Sequence, residues 1–354
     1  MPRYEPEVPS PWCVTPRRTP ARLCVLVLVP VRAVAAWVGV GLMAEDDATM
    51  DLSGEGLVAL PALPSSLVDL CLMHNRIPSI DNSLQPLTAL RRLNLRANRV
   101  ARICGLQCCT GLQELELYEN QIETIEGLDG LCNLTTLDLS FNLINRIDHL
   151  ESAGLSALES LYLANNRISR IEGLAGLPVL TSLELGSNAI RVVENLNAVP
   201  TLTELHLGRN KIRSLDGAFE DLSDLRVLGV ASNRLRTLEG VEALCALREV
   251  YADHNGIESL EPLSKLTQLH TIDLGANHID CLASCSGLVR LEELWLSDNR
   301  VTSLSELAPL APLPQLQTLR LSGCPVASAS TYRDQVRREL PRLVQLDADP
   351  FGSQ

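Results

Sequence analysis

Between Leu67 and Cys324 apolar and polar positions alternate in a block, L-x-x-L-x-L-x-x-N, that recurs twelve times. The closing polar position falls on Asn75, Asn98, Asn120, Asn142, Asn166, Asn188, Asn210, Asn233, Asn255, Asn277, Asn299 and finally Cys324. Successive steps are 23, 22, 22, 24, 22, 22, 23, 22, 22, 22 and 25 residues. A fixed period of this length marks a stacked solenoid of leucine-rich repeats. The L-x-L core has the period of two that a short strand requires, so its leucines point inward and its x positions outward. The predicted fold is therefore an α/β solenoid, a right-handed superhelix with a parallel concave sheet. In each repeat the segment that follows, such as Ile122-Glu123-Thr124-Ile125-Glu126-Gly127-Leu128, is expected to return along the convex side as a short helix. The recurring asparagine is expected to bond backbone groups of the turn, since a polar side chain inside an apolar ladder needs partners.

The pattern divides the chain into four parts: an extension (1–47), a half-repeat (48–66), the array (67–326) and a C-terminal cap (327–354). A solenoid must shield its terminal repeats, and Tyr332, Val336 and Leu340 recur at helical spacing. Pro341 ends that helix, and Leu343 and Leu346 are placed to close the last layer. Leu23–Met43 is apolar and long enough to span a bilayer, although Pro30 and Arg32 interrupt it. It reads as an extension outside the array with Met43 an alternative start, as a membrane anchor, or as a targeting segment.

Charge then narrows the function classes. The chain of 354 residues carries a net −13. Residues 1–42 hold Arg3, Arg17, Arg18, Arg22 and Arg32 against Glu5 and Glu7, a net +3, which leaves −16 for the other 312. So acidic an array is unsuited to nucleic acid, which demands Lys and Arg against phosphate. The eleven cysteines form no compact cap cluster and read as small buried thiols in a reducing compartment, cytoplasmic or nuclear. Cys281 and Cys285 have no second pair to complete a zinc site. The chain has no phosphate-cradling Gly-rich loop ending in Lys-Ser/Thr, no H-E-x-x-H and no G-x-S-x-G, and its six histidines are scattered over the repeats. Neither catalysis nor a cofactor is expected, and no membrane partner.

The outward middle position of the strands carries the information. Read along the array it is Cys71, Asn94, Glu116, Asp138, Tyr162, Glu184, His206, Gly229, Tyr251, Asp273, Trp295 and Arg320. Flanking carboxylates stand at Glu114, Glu204, Glu249 and Glu293, and small residues such as Gly186, Gly208 and Gly275 lie between. Aromatic rings among carboxylates suit a protein partner that is bulky and partly basic.

Several stretches are more specific than the consensus: LQELELYENQIETIEGL, LDLSFNLINRI, LELGSNAIRVVENL, LHLGRNKI, LEELWLSDN and YRDQVRRELPRLVQLD. In these strings, and over about residues 67–350, the chain resembles the leucine-rich-repeat regulatory subunits of protein phosphatase 1, the regulatory subunit 7 family. The resemblance implies a non-catalytic subunit, monomeric within a hetero-complex, that binds the phosphatase catalytic subunit through its concave face and holds it inactive during maturation. It also implies a partner site of Asp138, Glu184, Asp273, Glu293 and Trp295, which match the family. Tyr162 stands at a Phe position, His206 at another Phe position and Arg320 at a Tyr position. The last two departures leave an alternative open: a scaffold for ciliary or cytoskeletal assembly, on axonemal dynein or tubulin.

Overall fold

A computed structural model describes residues 48–351; the segment Leu23–Met43 and its three readings lie outside them. The strands, in order, are β1 (Thr49–Asp51), β2 (Asp69–Cys71), β3 (Arg92–Asn94), β4 (Glu114–Glu116) and β5 (Thr136–Asp138). They continue as β6 (Ser160–Tyr162), β7 (Ser182–Glu184), β8 (Glu204–His206), β9 (Val227–Gly229) and β10 (Glu249–Tyr251). The last five are β11 (Thr271–Asp273), β12 (Glu293–Trp295), β13 (Thr318–Arg320), β14 (Gln345–Leu346) and β15 (Asp349–Pro350). All fifteen join one sheet in sequence order. Every neighbour pair from β1 to β14 is parallel, and only β15 pairs antiparallel. The twelve repeats therefore give β2 to β13, the half-repeat adds β1, and the cap adds two more.

The strands β1 to β13 are only three residues long because each contributes one inward apolar side chain at its centre. Leu115, Leu137, Leu161, Leu183 and Leu205 are fully buried, as are the leucines two positions later. This continuous core is what a repeat cannot form alone.

The turn after each strand explains the asparagines. In all eleven, Nδ2 donates to three carbonyls and Oδ1 accepts a backbone N–H of the preceding repeat. In Asn142 the carbonyls are Leu117, Leu139 and Ser140, and the N–H is that of Ile122. The residue just before each asparagine has a left-handed backbone, φ between 52° and 58°, which L-residues otherwise avoid. The asparagine bonds hold it there. In the last repeat the Cys324 thiol donates to the Leu296 carbonyl, 3.1 Å from its Sγ, and Gly323 supplies the left-handed position at no steric cost (φ 79°). His74 and His254 occupy such left-handed positions, exposed to solvent.

Two expectations are corrected. The returns are not α-helical: they are short 3₁₀ segments, such as Asn82–Leu84 and Leu196–Ala198, or irregular turns. The reason lies in spacing such as that of Leu84, Leu87 and Leu90, all buried. Apolar residues every third position match the three-residue turn of a 3₁₀ segment. The one α-helix among the described residues, α1 (Tyr332–Glu339), lies in the cap. The cysteines are also not uniformly buried. Cys109, Cys285 and Cys324 are, whereas Cys104, Cys108, Cys132, Cys245 and Cys281 are exposed along the return side. Burial pushes the Cys109 thiol up to about 11 and that of Cys285 up to about 12, so neither is a ready nucleophile.

The cap closes the last repeat with Tyr332, Val336, Leu340, Leu343 and Leu346, all buried. Asp347 Oδ1 accepts the Leu321 N–H at 2.7 Å, tying the cap to the twelfth repeat. The hairpin of β14 and β15 ends in Phe351, buried beneath the guanidinium groups of Arg333 and Arg337.

Candidate functional site: the strand face

Parallel, in-register pairing turns one sequence position per repeat into a continuous row. Asp138 pairs with Tyr162, Tyr162 with Glu184 and Glu184 with His206, on β5 to β8. Asp273 pairs with Trp295 and Trp295 with Arg320, on β11 to β13. Glu293 lies two residues before Trp295 on β12 and faces the same way. All eight sequence-predicted site residues thus lie on one face, but in two groups. Gly229 and Tyr251 separate them, and from Asp138 to Asp273 the row advances six strand spacings, about 29 Å.

The first group is a run of shielded carboxylates. Glu116 takes a hydrogen bond from Asn94 Nδ2 at 2.7 Å. Asp138 accepts the Ser140 N–H at 2.8 Å and Glu184 the Gly186 N–H at 2.6 Å. None of these acids has an arginine or lysine within ion-pair distance among the described residues. Burial raises the affinity of Glu116 and Asp138 for protons, and pushes Glu184 up to about 7, with the Asp138 charge adding to the effect. His206 is pushed the other way by burial, against the pull of Glu204 and Glu249, so its ring is held neutral. Its Nδ1 lies 2.8 Å from where a Cβ at position 229 would stand, so any larger residue there would displace the ring.

The second group centres on Asp273, buried and bonded to the Gly275 N–H at 3.0 Å. Burial pushes it up to about 6, partly offset by the charge of Arg320. Trp295 is half-buried, and the Arg320 guanidinium lies 4.3 Å from the centre of its rings. Tyr251 donates its hydroxyl hydrogen to Glu249 at 2.8 Å.

Three features of this face lie outside the eight residues predicted from the sequence. Glu116 belongs with the shielded acids, and its place in the acidic row was the available signal. Tyr251 extends the aromatic part of the second group. Arg96 stacks 4.1 Å over Tyr118, whose ring meets Phe141 at 4.6 Å between centroids; these residues sit in the turns, where the L-x-L register gives no clue.

Chemically, the face offers aromatic contact area and carboxylates short of counter-ions. Among the described residues no group of three or more His, Cys, Asp or Glu side chains is placed to hold a metal ion. No helix among them is long and apolar enough to cross a membrane.

Comparisons with known proteins agree on the architecture. Family models described as leucine-rich repeats match residues 110–152, 132–190, 200–257 and 250–350. Human leucine-rich repeat-containing protein 23 is 36% identical over 91 residues, which is 25% of this chain and 26% of that protein. The chain thus matches about a quarter of the length of that curated relative. Among solved structures, an internalin (inlF) of Listeria monocytogenes superposes with a TM-score of 0.67 at 26% identity over 77% of each chain. A leucine-rich-repeat protein of Leptospira interrogans superposes with a TM-score of 0.65 at 22% identity, over 85% of this chain and 95% of that one. Periodicity, asparagine ladder, sheet order and these likenesses converge: the chain is a leucine-rich-repeat protein.

Proposed function

We propose that the chain is a non-catalytic scaffold whose strand face docks a basic protein surface, and that this partner is the catalytic subunit of protein phosphatase 1. The observation that carries the docking reading is the row Glu116, Asp138, Glu184 and Asp273. These carboxylates are partly withdrawn from water without an ion-pair partner of their own. A shielded, unpaired charge costs free energy, and a lysine or arginine brought by a partner relieves that cost. Tyr162 and Trp295 supply the kind of rigid aromatic area that concentrates binding energy at interfaces. The phosphatase assignment rests on the resemblance, in which Asp138, Glu184, Asp273, Glu293 and Trp295 match.

Capture of the phosphatase catalytic subunit from a lysate tests it, with the Asp138→Asn, Glu184→Gln double variant as control. Enrichment by the parent and its loss in the variant support the reading; equal recovery by both sinks it. The second reading, a ciliary or cytoskeletal assembly scaffold, draws on Arg320, which covers Trp295 with a positive charge and so alters the phosphatase-facing row. Abundance restricted to ciliated cells favours that reading, and presence in cells that never build cilia counts against it.

A further inference from the structure

The two acidic groups on the strand face share an arrangement that neither charge balance nor packing requires. Beside each, an arginine of the chain itself lies over an aromatic ring. Arg96 is 4.1 Å over Tyr118, and its charge acts on Glu116 and Asp138. Arg320 is 4.3 Å over Trp295, and its charge acts on Asp273. Arg320 is the more confined of the two. It is half-buried, and its Nε is shielded from water without a hydrogen-bond partner. No carboxylate lies within ion-pair distance of it among the described residues. A guanidinium normally prefers a bidentate carboxylate; here stacking and the field of Asp273 hold it alone.

We infer that Arg320 is an internal plug: its guanidinium occupies the position on Trp295, in the field of Asp273, that an arginine of the docking partner takes. This rests on the strand-face reading above and adds a gate to it. A partner arginine meets a ring already stacked, so binding exchanges one cation for another and Arg320 must swing off the ring into water. The exchange selects for a partner that brings more than a single charge. An incoming side chain has to regain the stacking that Arg320 gives up and also pair Asp273 more closely than Arg320 does. Lysine-rich partners, lacking the planar group, displace the plug poorly.

The test uses the full chain with Trp12→Phe and Trp37→Phe, which leaves Trp295 as the sole tryptophan and its emission as the reporter. A short polyarginine peptide is titrated into this parent, into Arg320→Gln, and into Arg300→Gln. Arg300 is an exposed residue outside the row, and its variant removes one positive charge without opening the ring. The plug predicts that Arg320→Gln binds the peptide five- to tenfold more tightly than the parent, while Arg300→Gln changes binding less than twofold. Polylysine should gain less than polyarginine from the same opening. Equal tightening in both variants reduces the effect to bulk charge and overturns the plug, as does no tightening, or no peptide binding, in Arg320→Gln. Phosphatase capture is scored separately. If it fails while Arg320→Gln tightens on polyarginine, the phosphatase assignment falls and the plug stands; if it succeeds without tightening, the reverse holds.

Discussion

Replacing Asn142 by alanine removes four hydrogen bonds from one turn. Oδ1 no longer accepts the Ile122 N–H at 3.0 Å, and Nδ2 no longer donates to the Leu117, Leu139 and Ser140 carbonyls at 3.0, 3.0 and 3.2 Å. Asn142 is 5% exposed, so water cannot readily replace it. An orphaned, buried N–H costs about 1–3 kcal/mol, and each lost donation about 0.5–1.5 kcal/mol. One NH₂ shared among three carbonyls counts as roughly two such bonds. Left-handed Phe141, φ 57°, also loses the contacts that hold a conformation costing about 1–2 kcal/mol. The expected destabilisation is about 3–4 kcal/mol, measured by urea unfolding with circular dichroism, with faster hydrogen exchange at Ile122. Asn166 makes the same four bonds but is only half-buried, so Asn166→Ala should cost less. A loss below about 1 kcal/mol for Asn142→Ala would refute the claim that the ladder sets the turns.

Three further outcomes follow from the same geometry. Glu184 binds its proton more tightly folded, near pH 7, than at its ordinary 4.5. Its contribution is therefore most favourable below the unfolded value and is lost as pH rises through about 7. Glu184→Gln should accordingly be more stable than the parent at about pH 8, by on the order of 1–2 kcal/mol, and lose that advantage by about pH 5; a pH-independent difference in thermal unfolding contradicts this. Gly173 (φ 72°) lies against the Ile147 carbonyl, whereas Gly130 (φ 82°) has open space around it. Gly173→Ala should therefore cost about 2 kcal/mol or more and Gly130→Ala about 1 kcal/mol, and equal losses in chemical denaturation would remove the steric argument. Deleting residues from Tyr332 onward should weaken hydrogen-exchange protection in a gradient from the C-terminus, because each repeat touches only its neighbours. Unchanged protection around Leu294–Leu296 would mean that the cap covers nothing.

The sheet was legible in the sequence because one residue type at a fixed period leaves a single consistent register. The asparagine ladder and the cap helix were readable for the same reason: a polar residue repeated in an apolar ladder, and Tyr332, Val336 and Leu340 at helical spacing. The returns are less legible, because a run such as Ile122, Ile125, Leu128 and Leu131 suits a helical return at first sight, while its spacing of three fits a tighter turn. The exposed thiols of Cys108 and Cys132 depend on which way each return faces, and consensus spacing does not encode that. On the strand face the row itself was legible residue by residue. The stacking of Arg320 on Trp295 was not, since an arginine in an aromatic slot reads as a lost contact until the side chain is seen folded over its neighbour. The Arg102–Glu126, Arg146–Glu172 and Arg170–Glu194 pairs join consecutive repeats 24 or 26 residues apart, beyond the reach of local pattern rules. They are exposed, and so add little to stability.

We propose that the strand face binds a basic partner, the phosphatase catalytic subunit. Titration calorimetry of the purified catalytic subunit against the full chain and against Trp295→Ala tests it most directly. Saturable binding by the parent is expected, with a loss of about 2 kcal/mol or more in the variant, at an unchanged thermal midpoint because the ring lies outside the leucine core. No binding by the parent, or equal affinity in the two proteins, would contradict it.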